Sequence, residues 1–246
     1  MKLSGKIALV TGASAGIGKS TALALAAEGA HVVISARRAA ELEKVAAEIR
    51  NKGGKAHAIM SDAAKVEDID RLLAECQKIG PIDILIVNAG RGLAGGLLTS
   101  DEAQWHQMYE LNVLGAAHLM RRVGQQMVAR KSGDIVTLGS ASGDNVSAFS
   151  GFYGSTKFAI AGMTEAFRRE VCASGVRVTL VKPAIVESEF QAVAGYTADN
   201  FYKSIARFGK LLVPEDVAET IAFIVTRPAH MHINDVIIRP TGQDYP

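Results

Sequence analysis

The sequence predicts a single doubly wound α/β domain, in which a parallel seven-stranded sheet carries helices on both faces. Short runs rich in β-branched residues alternate strictly with longer amphipathic stretches, and this alternation with right-handed crossovers builds a parallel sheet. Six of the short runs are nearly continuous in apolar residues, as expected for strands covered on both sides. The 246 residues show no repeat, linker or change of composition, so we assign residues 1–246 to one domain.

The elements follow from this periodicity in chain order. The apolar runs predict strands at residues 6–11, 31–36, 55–60, 83–88, 134–139, 177–182 and 235–240. The amphipathic stretches predict helices at about residues 17–29, 39–52, 66–79, 102–131, 152–174 and 215–227. Residues 184–213 fit neither pattern, and a segment of this length in a compact domain is usually a binding loop. We therefore predict a substrate lid at about 184–213.

The composition excludes several classes of protein. Lys and Arg together number 27 and Asp and Glu 25, so nothing indicates a nucleic-acid or membrane-surface binder. No apolar run approaches the roughly 18–20 residues of a membrane span, and the N-terminus has no signal-peptide pattern. We expect a soluble cytoplasmic protein in which Cys76 and Cys172 are buried free thiols. His230 and His232 form a His-x-His pair without a carboxylate or cysteine in range, so no metal site is expected.

A glycine-rich turn joins the first strand to the first helix. Gly12, Gly16 and Gly18 punctuate the run TGASAGIG, where an absent Cβ can serve the tight turn, the approach of backbone to a pyrophosphate, or helix–strand contact. The helix N-terminus then offers unpaired N–H groups and a positive dipole end to an anion. An Ala/Gly-rich turn could mimic this pattern, but its place between a strand and a helix favours the dinucleotide seat of a Rossmann fold.

The end of the second strand indicates which dinucleotide is bound. A carboxylate there would bond the ribose hydroxyls of NAD, whereas this chain has Arg37 and Arg38. Two guanidiniums can clamp a 2′-phosphate, and cations oppose the dipole at a helix start, so NADP(H) is favoured over a pair of merely solvated arginines. Asp62, just past the third strand, could accept a hydrogen bond from the adenine amino group or could cap the following helix.

Ser140, Tyr153 and Lys157 form the second motif. Tyr153 and Lys157 are four residues apart near the start of a predicted helix, so they share one face. An ammonium about 5 Å from a phenol contributes ~3 kcal/mol at an effective dielectric of ~20, which lowers the tyrosine pKa from about 10 by roughly two units before desolvation. The helix N-terminus and a positively charged nicotinamide act in the same direction, so we expect a pKa of roughly 7–8. Such a phenol can exchange a proton with an alcohol or alkoxide, and Ser140, at the end of the fifth strand, can donate a hydrogen bond to the same oxygen. A Tyr-x-x-x-Lys run alone is common, and its value here comes from the serine and the nucleotide turn in the same chain.

Together these motifs resemble the short-chain dehydrogenase/reductase family from end to end of the chain. The resemblance implies a catalytic tetrad of Asn112, Ser140, Tyr153 and Lys157. In that scheme Lys157 lowers the pKa of Tyr153 and holds the nicotinamide ribose, and Asn112 anchors a water that leads protons out from Lys157. The implied cofactor-binding residues are Gly12, Ser14, Gly16, Ile17, Gly18, Arg37, Arg38, Asp62, Ala63, Asn88, Ala89, Gly90, Tyr153, Lys157, Pro183, Val186 and Ser188.

The chain departs from the family pattern at several positions. Val87 replaces the usual Asn before Asn88-Ala89-Gly90, Ala184 replaces the glycine after Pro183, and Ser188 replaces a common threonine. The tail DVIIRPTGQDYP resembles the branch of NADP-dependent 3-hydroxy acid and serine dehydrogenases. The family resemblance also implies that the helices at 102–131 and 152–174 form a two-fold contact, usually within a homotetramer, with a dimer as the alternative.

Three functions are compatible with these observations. The leading one is an NADP(H)-dependent oxidoreductase that interconverts a small polar alcohol and its carbonyl, with Tyr153 as the acid/base. The alternatives are a 3-oxoacyl thioester reductase and, from another class, a non-catalytic NADP(H)-sensing protein. Candidates for the substrate pocket are Asp144, Asn145, Phe149, Phe152, Phe190, Tyr196, Phe201 and Tyr202. Arg91 and Arg207 could meet a substrate carboxylate, although a structural role is the commoner one, and Glu187 and Glu189 could be solvated acids near the lid.

Overall fold

Seven parallel strands form one sheet within the described part of the chain. The computed structural model describes residues 1–145, 147–197 and 203–245. The strands are β1 (Ile7–Thr11), β2 (His31–Ala36), β3 (Lys55–Met60), β4 (Ile84–Val87), β5 (Gly133–Leu138), β6 (Val176–Pro183) and β7 (Asp235–Ile238). Their order is β3-β2-β1-β4-β5-β6-β7. The chain therefore reverses its direction of winding between β1 and β4, which is where ligands bind in open sheets of this kind.

Helices cover both faces of the sheet, which confirms the doubly wound fold predicted from the sequence. They are α1 (Gly16–Ala27), α2 (Ala39–Asn51), α3 (Val66–Ile79), α4 (Trp105–Tyr109), α5 (Ala116–Arg130), α6 (Gly151–Val171), α7 (Phe190–Ala194), α8 (Lys203–Ile205) and α9 (Pro214–Val225). Neighbouring residues of β1 enter different apolar layers. Val10 packs in a cluster with Leu25 of α1, whereas Leu9 packs on the other face with Leu119 of α5 and Ile160 of α6.

The helix predicted over 102–131 is not a continuous α-helix. A 3₁₀ turn at Glu102–Gln104 leads into α4, and a π-helical turn at Glu110–Gly115 separates α4 from α5. A Cβ at Gly115 would lie 2.0 Å from the carbonyl oxygen of Ala63, so the backbone passes the β3–α3 loop too closely for a side chain. Isolated π-helical turns are often found at functional sites, and this one contains Asn112.

The two ends of the 184–213 segment lie side by side. Val186 and Leu212 form a parallel bridge, and the Glu187 N–H donates to the carbonyl of Leu212 at 2.8 Å. Between them lie α7, α8 and a 3₁₀ turn at Ala206–Phe208. The two ends of the segment are therefore held together just beyond the end of β6, and its role as a lid stays a prediction.

The two cysteines differ in exposure. Cys76 is buried, as expected, whereas Cys172 is exposed, so the prediction of two buried thiols is wrong for Cys172. The reason is that α6 ends at Val171, the last of its side chains to reach the core, and Cys172 begins the turn that follows. Among the described helices, none combines the length and the apolar run that crossing a bilayer requires.

Candidate active site

A cavity of about 1070 Å³ lies at the carboxyl ends of the strands. Its wall is built from the β1–α1 turn, the ends of β2 and β4, the turn after β5, the start of α6 and the 184–213 segment. Almost every predicted cofactor or catalytic residue lines it, namely Gly12, Ser14, Gly16, Ile17, Gly18, Arg37, Arg38, Asp62, Ala63, Asn88, Ala89, Gly90, Ser140, Tyr153, Lys157, Pro183, Val186 and Ser188. Asn112 is the exception among the predicted residues and lies behind the wall.

The three glycines of the β1–α1 turn have different structural reasons. Gly12 and Gly16 have φ angles of 64° and 53°, a region that residues with a Cβ rarely adopt. A Cβ at Gly18 would lie 2.4 Å from the carbonyl oxygen of Gly12, so Gly18 permits the close contact of helix and turn. At Gly16 a Cβ would meet only Ser188, at 3.7 Å, so the space above this residue belongs to the cavity.

The N-terminus of α1 suits a bound anion. Ala15 precedes the helix and provides no side-chain cap, and the first turn contains no acidic residue. Among the described residues, the first N–H groups therefore have no side-chain acceptor, and Gly16, Ile17 and Gly18 line the cavity. This cradle fits the pyrophosphate of a dinucleotide.

Asn88 fastens the end of β4 to the β1–α1 turn. Its Nδ2 donates to the carbonyls of Thr11 and Gly12 at 2.8 and 3.2 Å. The Thr11 hydroxyl in turn accepts from the N–H groups of Asn88 and Ala89, both at 3.1 Å. The carboxamide of Asn88 is therefore used to hold the switch point of the sheet in shape.

The residues expected to select the coenzyme are arranged unequally. Arg37 is exposed on the cavity wall, whereas Arg38 donates to the Ser14 hydroxyl and pairs with Glu189. Asp62 accepts from the Ala64 N–H at 3.1 Å, and α3 begins only at Val66 after Lys65. The helix-cap interpretation of Asp62 is therefore wrong, and the residue lines the cavity.

Ser140, Tyr153 and Lys157 meet on one wall of the cavity. Tyr153 is the third residue of α6 and is buried, and the Ser140 hydroxyl is close enough to its phenol to lower the pKa of that phenol. Ser140 Oγ also accepts from the Ser142 N–H at 3.1 Å, which fixes its direction. The Lys157 Nζ lies 5.7 Å from the centre of the Tyr153 ring and donates to the Leu138 carbonyl at 2.9 Å.

Burial dominates the pKa values of this pair. It raises the pKa of Tyr153 above its usual value; the Ser140 hydroxyl partly opposes this, and the nearby phenol of Tyr196 adds to it. Burial also lowers the pKa of Lys157 to about 8. In the protein groups alone, the cost of burying a charge exceeds the effect of a lysine whose own ammonium is destabilised. The tyrosine pKa of roughly 7–8, expected with a nicotinamide bound, stays a prediction.

Asn112 lies outside the cavity and is hydrogen-bonded to two of the segments that form its wall. Its Oδ1 accepts from the Arg91 N–H at 2.9 Å, and its Nδ2 donates to the Arg91 carbonyl at 2.9 Å and to Thr156 Oγ1 at 3.1 Å. The Thr156 hydroxyl donates to the Tyr153 carbonyl at 2.7 Å. The carboxamide thus joins the turn after Asn88 to the catalytic face of α6, and the implied role of Asn112 in anchoring a water stays a prediction.

Comparison with known proteins identifies the family. A family model for short chain dehydrogenases matches residues 6–198. The chain belongs to the short-chain dehydrogenase family. It is 32% identical over 242 residues to an uncharacterized oxidoreductase of Staphylococcus saprophyticus, a match that covers 98% of this chain and 99% of that one. The family resemblance predicted from the motifs is confirmed, and the chain is an oxidoreductase.

Two solved structures extend the comparison. The closed form of serine dehydrogenase complexed with NADP+ matches with a TM-score of 0.90 and 30% identity, covering 97% of this chain and 96% of that one. An actinorhodin polyketide ketoreductase variant with NADPH matches with a TM-score of 0.87 and 27% identity, covering 100% and 99%.

The substrate side of this short-chain dehydrogenase contains only part of the predicted set. Phe149, Phe190 and Tyr196 line the cavity, whereas Asp144, Asn145 and Phe152 do not, and Phe201 and Tyr202 lie outside the described residues. Asp144 is instead paired with Lys182 at 2.7 Å. Phe152 is stacked on Trp105, with 4.4 Å between the ring centres. Both side chains are held by these neighbours and are not part of the cavity wall.

Both candidate arginines line the cavity but have protein partners. Arg91 donates to the side-chain carbonyls of Gln104 and Gln107, and Arg207 pairs with Asp244 at 3.0 Å. These partners fit the structural role expected as the commoner alternative, and a contact of either arginine with a substrate carboxylate stays a prediction. Glu189 lines the cavity, whereas the exposed Glu187 does not.

Sequence reasoning missed several residues of this short-chain dehydrogenase's cavity. Ser150 lies directly before α6, and its position three residues before Tyr153 was a signal that could have been used. Gln191 is buried and donates to the Val186 carbonyl at 2.6 Å. Gln243 and Tyr245 come from the tail and carried no local signal. His232 Nε2 lies 3.0 Å from the Val178 carbonyl oxygen, and the described residues contain no metal-binding group of three or more His, Cys, Asp or Glu.

Proposed function

We propose that this short-chain dehydrogenase interconverts a small polar alcohol and its carbonyl with NADP(H) as coenzyme and Tyr153 as the acid/base. The observation that carries the proposal is the meeting of Ser140, Tyr153 and Lys157 on the wall of the same cavity that the phosphate-binding turn opens into. A proton donor and a dinucleotide seat in one cavity are what carbonyl reduction requires.

The residues of the chain divide the chemistry among them. A bound nicotinamide coenzyme supplies or accepts the hydride. In reduction, the Tyr153 hydroxyl donates its proton to the carbonyl oxygen as charge develops there, and the Ser140 hydroxyl donates a hydrogen bond to the same oxygen. A raised pKa of Tyr153 suits this direction, because the phenol stays protonated until the alkoxide forms. The Lys157 ammonium stabilises the phenolate that remains.

The preference for NADP(H) is supported by charge and by the relatives. Arg37 and Arg38 directly follow β2, where a carboxylate would favour NAD, and the similar serine dehydrogenase structure is a complex with NADP+. The N-terminus of α1 would hold the pyrophosphate, and Asp62 is available to the adenine amino group. We expect the wild-type protein to bind NADPH more tightly than NADH, and the combined Arg37→Ala and Arg38→Ala variant to lose that preference. A wild type that prefers NADH would overturn the coenzyme assignment.

A second candidate substrate is a 3-oxoacyl thioester or related ketide. Apolar side chains on the cavity wall support it, because Phe149 and Val193 are 77% and 60% exposed at the edge of the same cavity and could contact an acyl chain. The similarity to an actinorhodin polyketide ketoreductase also supports a substrate of this class. A panel of β-hydroxy acids, serine, small aldehydes and 3-oxoacyl thioesters, followed by absorbance of the reduced coenzyme, separates the two candidates.

The Tyr153→Phe variant tests the mechanism. Turnover of every accepted substrate should fall by about 1000-fold or more, while NADPH binding measured by fluorescence titration stays unchanged. Tyr109→Phe is the matched control, because Tyr109 bonds to Ser155 at 3.0 Å and lies outside the cavity wall. Unchanged turnover in Tyr153→Phe would exclude the mechanism. Absence of any turnover in the wild type would favour the third reading, an NADP(H)-sensing protein.

We further propose that the chain works as a homotetramer, or as a dimer, in the cytoplasm. Leu114 and Phe158 are 52% and 43% exposed on the elements expected to form the two-fold contact, and burying such side chains would stabilise an assembly. Sedimentation velocity of the wild type and of a Leu114→Glu, Phe158→Glu variant tests this. A monomeric wild type contradicts it.

A further inference from the structure

Glu189, in the 184–213 segment, forms an ion pair with Arg38, one of the two arginines proposed to bind the coenzyme. Arg38 Nη1 lies 3.0 Å from Glu189 Oε2, and Arg38 Nε and Nη2 lie 3.2 and 3.1 Å from Ser14 Oγ. Arg38 follows β2, Ser14 belongs to the phosphate-binding turn, and Glu189 directly precedes α7. All three line the cavity, so one guanidinium joins three segments of its wall.

Arg37 is not bound in this way. It is exposed on the same wall, and within the described ranges it has no hydrogen-bond or ion-pair partner. The two arginines are therefore not equivalent towards an arriving phosphate. Arg37 can be approached freely, whereas at Arg38 a phosphate has to share or replace the carboxylate of Glu189.

We propose that Glu189 is a coenzyme-specificity determinant that acts through Arg38, an inference that rests on the proposed NADP(H) seat. A 2′-phosphate that binds Arg38 is repelled by the Glu189 carboxylate or displaces it. A coenzyme with a free 2′-hydroxyl leaves the ion pair intact, and a carboxylate is the group that accepts a hydrogen bond from such a hydroxyl. Glu189 thereby weakens the binding of NADP(H) relative to NAD(H) and reduces the preference that Arg37 and Arg38 create.

The size of the effect follows from exposure. The side chains of Arg38 and Glu189 are 52% and 64% exposed, so water and salt screen the pair and its strength is that of a surface ion pair. We therefore expect Glu189 to change the affinity for a 2′-phosphate by about fivefold, which corresponds to about 1 kcal/mol. The effect should shrink as the salt concentration is raised from about 50 mM to about 500 mM.

Adenosine 2′,5′-bisphosphate and 5′-AMP test the proposal, because they differ only in the 2′-phosphate and require no turnover. In isothermal titration calorimetry, Glu189→Gln should bind the bisphosphate about fivefold more tightly than the wild type does, with no gain for 5′-AMP. Glu187→Gln is the matched control. It removes the same charge two residues before Glu189, and the side chain of Glu187 is exposed and lies outside the cavity wall. Its affinities should equal those of the wild type.

The Arg38→Ala background decides whether Glu189 acts through Arg38. In an Arg38→Ala protein, Glu189→Gln should no longer increase the affinity for adenosine 2′,5′-bisphosphate. An equal gain in Glu187→Gln, a gain that persists without Arg38, or no gain at low salt overturns the proposal. If the wild type binds the two nucleotides equally, the coenzyme assignment fails, and the role of Glu189 is then decided by whether Glu189→Gln alone creates a preference.

Discussion

The ammonium of Lys157 donates a hydrogen bond to the main-chain carbonyl of Leu138 at 2.9 Å. Leu138 ends β5 two residues before Ser140, and Lys157 lies one turn beyond Tyr153 on α6. The bond therefore fixes the position of the serine-bearing turn relative to the tyrosine-bearing helix. Lys157 both positions the site and supplies its positive charge.

Reduction should lose rate as the pH rises through about 8. Burial lowers the pKa of Lys157 to about 8, so the ammonium is present below that pH and is lost above it. We expect kcat/KM for reduction to be flat below about pH 7 and to fall about tenfold per pH unit above about 8. Lys157→Arg keeps its charge at all these pH values, so any residual activity should lack the descending limb. A limb that persists at the same pH in Lys157→Arg contradicts the assignment.

Asn112→Ala should damage both stability and turnover. Its loss leaves the N–H and carbonyl of Arg91 and the hydroxyl of Thr156 without their buried partner. An unsatisfied buried group costs about 1–3 kcal/mol, and we expect the free energy of unfolding in urea to fall by about 2–4 kcal/mol. Because the carboxamide positions α6 and lies outside the cavity wall, kcat should fall more than KM rises. Thr156→Val, which removes one of these bonds, should have the smaller effect, and an Asn112→Ala protein with wild-type stability would exclude this role.

Lys182 should stabilise the fold through two carboxylates. It is buried and its Nζ lies 2.7 Å from Asp144 and 2.8 Å from Asp235. Burial lowers the pKa of Lys182, but the two carboxylates together raise it above its usual value. The stabilisation is therefore present below about pH 10.5 and is lost as the pH rises through the folded-state pKa.

Lys182→Met should accordingly lower the free energy of unfolding at pH 7 by about 2 kcal/mol. This is below the cost of breaking a fully buried pair, because Asp144 and Asp235 are 32% and 45% exposed and regain water. Asp144→Asn should lower stability by less and leave KM unchanged, since Asp144 does not line the cavity. A raised KM in Asp144→Asn would restore it as a substrate residue.

The sequence predicts those parts of the molecule whose cause is local. The strands were found because continuous apolar runs report burial on both faces, and the glycine turn because Gly12 and Gly16 need positive φ angles. The π-helical turn at Glu110–Gly115 was missed because it leaves the apolar pattern almost unchanged. Contacts between residues far apart in the sequence leave no local pattern. The ion pair of Arg38 and Glu189, which are 151 residues apart, is an example. The burial that raises the pKa of Tyr153 also depends on the whole fold and could not be predicted from the sequence.

Gly18→Ala should disrupt the dinucleotide seat. The new Cβ would lie 2.4 Å from the Gly12 carbonyl oxygen and 2.5 Å from Asn88 Nδ2, two atoms that are themselves hydrogen-bonded, so the turn has to shift. Overpacking of this kind costs about 1–3 kcal/mol, and NADPH affinity should fall at least tenfold in fluorescence titration. Gly162→Ala is the contrasting change within a helix, because a Cβ there meets nothing within 4 Å and alanine gains up to about 1 kcal/mol over glycine. Wild-type NADPH affinity in Gly18→Ala would show that this turn does not hold the coenzyme.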